Sequence, residues 1–155
     1  MGRIYRQMRK VKTFKNLLKI APALPPGMTI NYYEQIRERM GKDEADKFVR
    51  LYMVPGLQHC FAGPGANTFG HLVANGETDP AKNINVTLED WVEKGRVPGP
   101  VTAVKYDYSS PMKSLFVPAD KARVVFTRTL CPYPQVARWN GKGDVKIESS
   151  YACTN

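Results

Sequence analysis

The chain has 155 residues, of which 43% are hydrophobic and 24% are charged. These values are typical of one globular domain that is large enough to bury a core of its own. The net charge of +9 is unevenly placed, because residues 1–20 contain seven bases and no acid, whereas the remaining 135 residues contain 16 bases and 14 acids. A nucleic-acid-binding surface would more commonly carry its bases on the folded body, so this distribution argues against a nucleic-acid partner.

Residues 1–20 form a basic segment with apolar residues near helical spacing. We interpret it as a solvated basic helix or as sequence foreign to the fold; a transit-type helix, or a segment that binds nucleic acid or a membrane surface, is the alternative. It lacks the apolar stretch of a secretory signal peptide, and no part of the chain approaches the roughly 20 apolar residues of a transmembrane segment. A proline-rich stretch then marks a boundary, so that residues 21–155 are expected to form the folded domain.

The first regular elements of this domain are predicted between residues 29 and 54. Thr29 is expected to cap a helix that runs to Met40 and ends at Gly41. Residues 42–47 indicate a further helical turn. The hydrophobic stretch at residues 49–54 predicts a buried strand.

A histidine follows this strand. Pro55 and Gly56 end the strand, and His59 lies three residues beyond Gly56. A rigid strand that delivers an imidazole to an exposed turn is how α/β hydrolases place their general base. The chain contains no Gly-x-Ser-x-Gly motif, so this candidate base has no recognisable nucleophile within the sequence.

The second half of the chain has weaker signals. Residues 61–81 are rich in glycine, proline and asparagine, which predicts a long surface loop. A helix is expected from Thr87 to Lys94, and strands are expected at residues 101–106 and 123–127, before a mostly irregular tail. Asn85 begins a glycosylation sequon, although a capping role of Thr87 accounts for the same residues.

Three cysteines cannot all pair within one chain. Cys131 and Cys153 lie at the two ends of the loop-rich tail and could close it with a disulfide worth about 3 kcal/mol, if the geometry allows. Cys60 would then have no partner in this chain. Two histidines and three separated cysteines do not have the spacing of a zinc site, so we expect neither a metal nor a cofactor.

Several sequence blocks, in this order and spacing, resemble the C-terminal part of the tannase and feruloyl esterase family. The similarity extends from about residue 21 to residue 153. Its carriers are TINYYE at 29–34, RLYMVPGLQHC at 50–60, GPG at 63–65, LEDWVEKG at 88–95 and LCPYPQ at 130–135.

The resemblance implies an α/β fold, namely the C-terminal fragment of an α/β-hydrolase domain with an incomplete sheet and long irregular loops. It further implies a secreted serine esterase that cleaves esters of aromatic acids. His59 falls on the catalytic histidine of the family. Cys60 falls on a cysteine that bridges to one just before the nucleophilic serine, and Cys131 and Cys153 fall on the terminal disulfide.

The chain also departs from the family pattern. The nucleophilic serine and its neighbouring cysteine are expected upstream of this sequence, and Ala21 stands where the triad aspartate is expected. The lid domain, which carries a calcium site in the family, is also missing. We therefore expect an esterase piece that is inactive alone and has the missing N-terminal part as a potential partner. The alternatives are a non-catalytic interaction module that exposes a hydrophobic face, or a binder that acts through its basic N-terminal segment.

Overall fold

The computed structural model describes residues 25–59, 61–71, 79–108, 110, 113 and 121–155, together with the backbone of residues 13–18. Strands in the described part form three two-stranded sheets, one parallel and two antiparallel. In chain order the elements are β1 (Thr13–Leu18), α1 (Pro26–Met40), α2 (Lys42–Ala45), β2 (Val49–Val54), α3 (Ile84–Lys94), β3 (Val101–Asp107), β4 (Arg123–Leu130), β5 (Val136–Trp139), a 3-10 turn (Glu148–Ser150) and β6 (Tyr151–Thr154).

The strand that precedes His59 is buried, as predicted. Leu51, Tyr52 and Val54 of β2 have no exposed surface. β1 lies parallel to β2, with Leu18 opposite Val54. For residues 13–18 the prediction of a separate basic helix is therefore wrong, because backbone pairing with the edge of β2 outweighs a weak helical spacing of apolar residues.

Helix α1 begins earlier than predicted. Its first residue is Pro26, and Thr29 lies within the first turn rather than at the cap. Proline suits the first helical position, where the missing N–H would have had no partner and φ is already helical. The end at Met40 is confirmed, and α2 confirms the predicted helical turn. One face of α1 contributes Tyr33 to a cluster of buried residues, whose other members are Ala45, Phe48, Val49 and Leu51.

Helix α3 is capped by Asn83, not by Thr87. The side-chain oxygen of Asn83 accepts hydrogen bonds from two backbone N–H groups of the first turn, at 2.9 and 3.3 Å. Thr87 lies one turn further on, where its hydroxyl is 2.8 Å from the carbonyl oxygen of Asn83. The predicted end at Lys94 is confirmed, with Gly95 in the left-handed conformation that ends many helices.

Asp90 holds the C-terminal end of α3. Lys94 Nζ donates to one carboxylate oxygen at 2.6 Å and Arg96 Nη1 donates to the other at 3.1 Å. The hydrogen bond from Lys94, aided by the charges of both bases, lowers the pKa of Asp90 below its ordinary value of 3.8.

A carboxyl whose pKa is lower in the folded protein stabilises the fold above its unfolded pKa, and this contribution is lost as the pH falls through the folded pKa. We therefore expect Asp90→Asn to reduce the loss of stability below about pH 4. Thermal unfolding midpoints measured across that range check this, with Glu89→Gln on the exposed face of α3 as control. If the unfolding midpoint of the Asp90→Asn protein fell as steeply below about pH 4 as that of the parent protein, the role given to Asp90 would be refuted.

The segment after the His59 turn is not the surface loop that its composition predicted. Ala66, Asn67, Thr68 and Phe69 are buried. Thr68 and Val104 of β3 exchange two backbone hydrogen bonds, of 3.0 and 2.7 Å. Glycine, proline and asparagine do form turns in this segment. The segment nevertheless passes through the interior, because burial of its few apolar side chains is favourable. Residues 72–78 lie outside the described part.

The tail is more regular than predicted. β5 and β6 form an antiparallel pair, with Val136 opposite Thr154. The Cys131–Cys153 disulfide is confirmed, with a Cα–Cα distance of 5.7 Å, and it ties the residue after β4 to β6. This covalent link and the strand pairing together order a segment whose glycines and prolines suggested irregular structure.

Removal of the disulfide is expected to destabilise the domain clearly. Cys153→Ser should lower the free energy of unfolding by about 3 kcal/mol, because the bond closes a loop between residues 22 positions apart. Urea unfolding measures this change. Cys60→Ser is the matched control, since it leaves the bond intact. Equal stability of the two variants would contradict the claim that the bond holds the tail.

Candidate active site

His59 lies in the loop that follows β2, and it is exposed to solvent. The chain leaves β2 through Pro55 and Gly56, in a hydrogen-bonded turn in which Leu57 N donates to the carbonyl oxygen of Val54 at 3.3 Å. The histidine is thus presented on an open turn after a buried strand, which is the position that the sequence predicted. Its catalytic role stays a prediction. Cys60, the next residue, lies outside the described part.

The two ends of the His59 loop contact each other through their backbones. Gly65 N donates to the carbonyl oxygen of Gly56 at 3.1 Å. A Cβ atom at Gly63 would lie 2.0 Å from that same oxygen, and one at Gly65 would lie 2.0 Å from the carbonyl oxygen of Pro55. Only glycine permits such close approach, so these residues close the loop at its base and fix its shape.

Two polar side chains donate hydrogen bonds to Gly63, in the part of the loop that follows His59. Lys105 Nζ of β3 donates to the carbonyl oxygen of Gly63 at 2.6 Å, and Asn67 Nδ2 donates to the same oxygen at 3.3 Å. Burial lowers the pKa of Lys105. Sequence reasoning missed both residues, because no local pattern relates Lys105 to a glycine 42 positions away.

Hydrogen bonds within the loop fix the backbone around the imidazole. Phe61 N donates to the carbonyl oxygen of His59 at 2.9 Å, and Gln58 N donates to that of Ala62 at 3.3 Å. Ala62 itself has a left-handed backbone, with φ of 64°. The loop therefore offers the histidine a defined backbone position, as a catalytic base requires.

The ends of β1 and β2 place two parts of the chain at one edge of the sheet. Because the strands are parallel and Leu18 lies opposite Val54, the chain leaves both strands on the same side. His59 is five residues beyond Val54 in the sequence, and Ala21 is three beyond Leu18. Ala21 itself lies outside the described residues.

Two features are absent from the described ranges, a cluster of metal-binding side chains and a helix that could span a membrane. Within them, no group of three or more His, Cys, Asp or Glu side chains could hold a metal ion. The helices described there include none that is long and apolar enough to cross a membrane.

The sequon residue Asn85 is exposed on the first turn of α3. Its side-chain nitrogen, the atom to which a glycan would attach, donates to the carbonyl oxygen of Gly70 at 2.7 Å. The hydroxyl of Thr87 also forms a hydrogen bond, which it donates to the carbonyl oxygen of Pro80 at 2.5 Å. Glycosylation of Asn85 stays a prediction.

Comparison with known proteins identifies the family. Residues 19–154 match the model of the family described as tannase and feruloyl esterase. An uncharacterised esterase of Xanthomonas campestris is 33% identical over 148 residues, covering 86% of this chain and 24% of that protein. A mono(2-hydroxyethyl) terephthalate hydrolase of Piscinibacter sakaiensis is 36% identical over 125 residues, covering 81% and 17%. A probable feruloyl esterase B-1 of Aspergillus flavus is 30% identical, covering 79% and 22%.

Solved structures share the fold. A crystal structure of an esterase from Aspergillus oryzae matches 92% of this chain and 27% of its own chain, with a TM-score of 0.78 and 24% identity. Feruloyl esterase B from the same organism matches with a TM-score of 0.76 and 21% identity. The chain spans about a quarter or less of the length of the curated relatives named above. Because the family match extends over most of its residues, the chain belongs to the tannase and feruloyl esterase family.

Proposed function

We propose that this chain supplies the catalytic histidine of a serine carboxylic ester hydrolase that acts on esters of aromatic acids, and that it is the C-terminal portion of such an enzyme. The observation that carries the proposal is the placement of His59 on an exposed, glycine-closed loop at the carboxyl edge of two parallel strands. A general base must reach the substrate and hold its position, and this loop meets both requirements.

In the proposed reaction His59 accepts the proton of a serine hydroxyl as the serine oxygen attacks the ester carbonyl, and then delivers it to the leaving alkoxide. A water molecule repeats the same transfers when it hydrolyses the acyl-enzyme. The serine would come from sequence outside this chain, and Ala21 stands in the sequence where the carboxylate that orients the imidazole would be expected. The chain alone is therefore proposed to be inactive.

We also propose that the protein functions in an oxidising, extracellular environment. The Cys131–Cys153 disulfide supports this, because structural disulfides persist mainly in secreted proteins. Cys60, next to His59, would pair with a cysteine from the missing part. Such a bond would tie the histidine loop to the segment that carries the serine.

A chimeric enzyme tests the proposal. Residues 21–155 replace the matching segment of the Xanthomonas esterase, either with Ala21 or with Ala21→Asp. We expect the Ala21→Asp chimera to hydrolyse methyl ferulate at least about 100-fold faster than the chimera that keeps Ala21. The reason is that loss of the orienting carboxylate in a catalytic triad lowers turnover by up to about 10⁴-fold. Equal rates for the two chimeras would refute the role given to position 21, and the isolated chain is expected to show no turnover above background.

A second candidate function, a non-catalytic interaction module, is favoured by exposed apolar surface. Five large apolar side chains in the second half of the chain are between 45% and 52% exposed. Side chains of this kind mark an interaction site where they form a continuous patch, and in an esterase the remainder of the enzyme would cover such a patch. The two functions differ in their dependence on His59: partner binding would survive His59→Gln, whereas ester hydrolysis would not. These five residues are Val124, Val136, Trp139, Val145 and Ile147.

A further inference from the structure

The carbonyl oxygen of Gly63 accepts a hydrogen bond from a lysine on a different strand. Lys105 Nζ of β3 donates to it at 2.6 Å, across a separation of 42 positions in the sequence. We propose that Lys105 is a positioning residue, which acts through Gly63 to fix the loop that presents the imidazole of His59. This inference rests on the proposed function of His59 and adds a residue that acts on the histidine through the backbone.

The backbone contacts of Gly63 lead directly to the residues on either side of His59. A Cβ atom on Gly63 would lie 3.0 Å from Gln58 N, so the two parts of the loop pass close to each other there. Gln58 N also donates to the carbonyl oxygen of Ala62, the residue before Gly63, at 3.3 Å. Phe61 N donates to the carbonyl oxygen of His59 at 2.9 Å. A displacement of Gly63 would therefore move the backbone both before and after the imidazole.

Strand β3 provides a rigid base for the lysine. The two residues before Lys105, Ala103 and Val104, are buried. Lys105 lies opposite Phe126 of β4, and the register of this pairing shifts between Lys105 and Tyr106. Irregularities of this kind redirect side chains and are common beside active sites. The ammonium thus reaches the loop from a paired strand with a buried face, as a group that fixes a catalytic residue requires.

The hydrogen bond of Lys105 fixes a backbone oxygen and does not balance a carboxylate. The ion pairs formed among the described residues do not include Lys105. Its side chain is half-buried, and this burial lowers the pKa of the amine. A charged donor makes a stronger hydrogen bond to a carbonyl oxygen than a neutral donor does, which offsets the cost of the burial. The contact therefore favours a role in positioning the loop.

Amide hydrogen exchange in the full chain tests this role. Lys105→Met keeps most of the apolar stem and removes the ammonium. Exchange at the Gln58 amide should become about tenfold faster or more, because a hydrogen bond from a charged group is lost. The core amides of β2 report global unfolding and serve as the internal reference.

Two further variants separate the hydrogen bond from other effects of the substitution. Lys105→Arg keeps a charged donor and should hold the exchange at Gln58 within about threefold of the parent value. Lys142→Met is the matched control, because it makes the same change at an exposed lysine after β5. It should change the exchange at Gln58 by less than about twofold.

Catalysis by the Ala21→Asp chimera provides a second readout. Lys105→Met should lower kcat for methyl ferulate by about 10-fold to 100-fold and change KM by less than about twofold, because a misplaced base slows the chemical step. The pH of half-maximal rate should stay unchanged, whereas a lysine that acted by its charge on the imidazole would shift it. Lys105→Arg should recover most of the rate.

Two results would overturn the proposal: unchanged exchange at Gln58 in a folded Lys105→Met protein, or a kcat in the active chimera that stays within about twofold of the parent value. If the chimera hydrolysed no ester, the function proposed for His59 would fail, and the exchange at Gln58 would still decide whether Lys105 fixes the loop. Should Lys105→Met fail to fold, NMR on the unaltered chain decides. A scalar coupling between Lys105 Nζ and the carbonyl carbon of Gly63 is then expected, and its absence would overturn the proposal.

Discussion

Gly63→Ala is expected to destabilise the protein by about 3–5 kcal/mol and to displace the His59 loop. The added Cβ would lie 2.0 Å from the carbonyl oxygen of Gly56 and 3.0 Å from Gln58 N, so backbone must move. The φ angle of Gly63 is 97°, in the region that side chains disfavour, which adds strain. Movement of Gly63 would also lengthen the hydrogen bond from Lys105, which holds the loop to β3.

Gly99→Ala is the matched control for this substitution. A Cβ atom at Gly99 would meet no atom within 4 Å, so this variant should stay within about 1 kcal/mol of the parent. Urea unfolding of both variants measures the difference. If the Gly63→Ala protein were as stable as the Gly99→Ala protein, the close approach of Gly63 to the carbonyl oxygen of Gly56 would not be required for stability.

The second large effect is expected at His59. In the active chimera, His59→Gln should lower kcat/KM for methyl ferulate by about 10⁴-fold, because glutamine cannot accept and return the proton of the nucleophile. Since His59 is exposed, the same substitution should alter the free energy of unfolding by less than about 1 kcal/mol. The control is His71→Gln, which removes the other histidine of the chain from its stack on Phe69, where the rings are 4.0 Å apart.

Local signals in the sequence predicted the elements nearest His59 well. The hydrophobic stretch of β2 and the Pro-Gly break after it are both local, because burial and turn formation each involve adjacent residues. The ends of α1 and α3 were predicted for the same reason, since the glycine that follows each helix stops it. The starts of both helices differ from the prediction because two other start signals, Pro26 and Asn83, precede Thr29 and Thr87.

Features that depend on contacts between distant residues could not be read from local patterns. The strand at residues 13–18 forms only because β2 offers a free edge. The interior path of residues 61–71 depends on pairing between Thr68 and Val104. The contact of the Arg128 guanidinium with the ring of Tyr151, at 5.0 Å, joins residues that are 23 positions apart and lie in different strands. The Cys131–Cys153 pairing was the exception, because the cysteines at the two ends of the tail, together with the family resemblance, pointed to it.

We propose one role for the imidazole of His59, that of the proton-transfer group of an ester hydrolase. It is tested most directly by methyl ferulate hydrolysis in the Ala21→Asp chimera with and without His59→Gln. We predict a fall of about 10⁴-fold in kcat/KM on substitution, with little change in the folded fraction. Turnover that is retained within about tenfold after His59→Gln would contradict the claim, because a catalytic base cannot be removed at so small a loss.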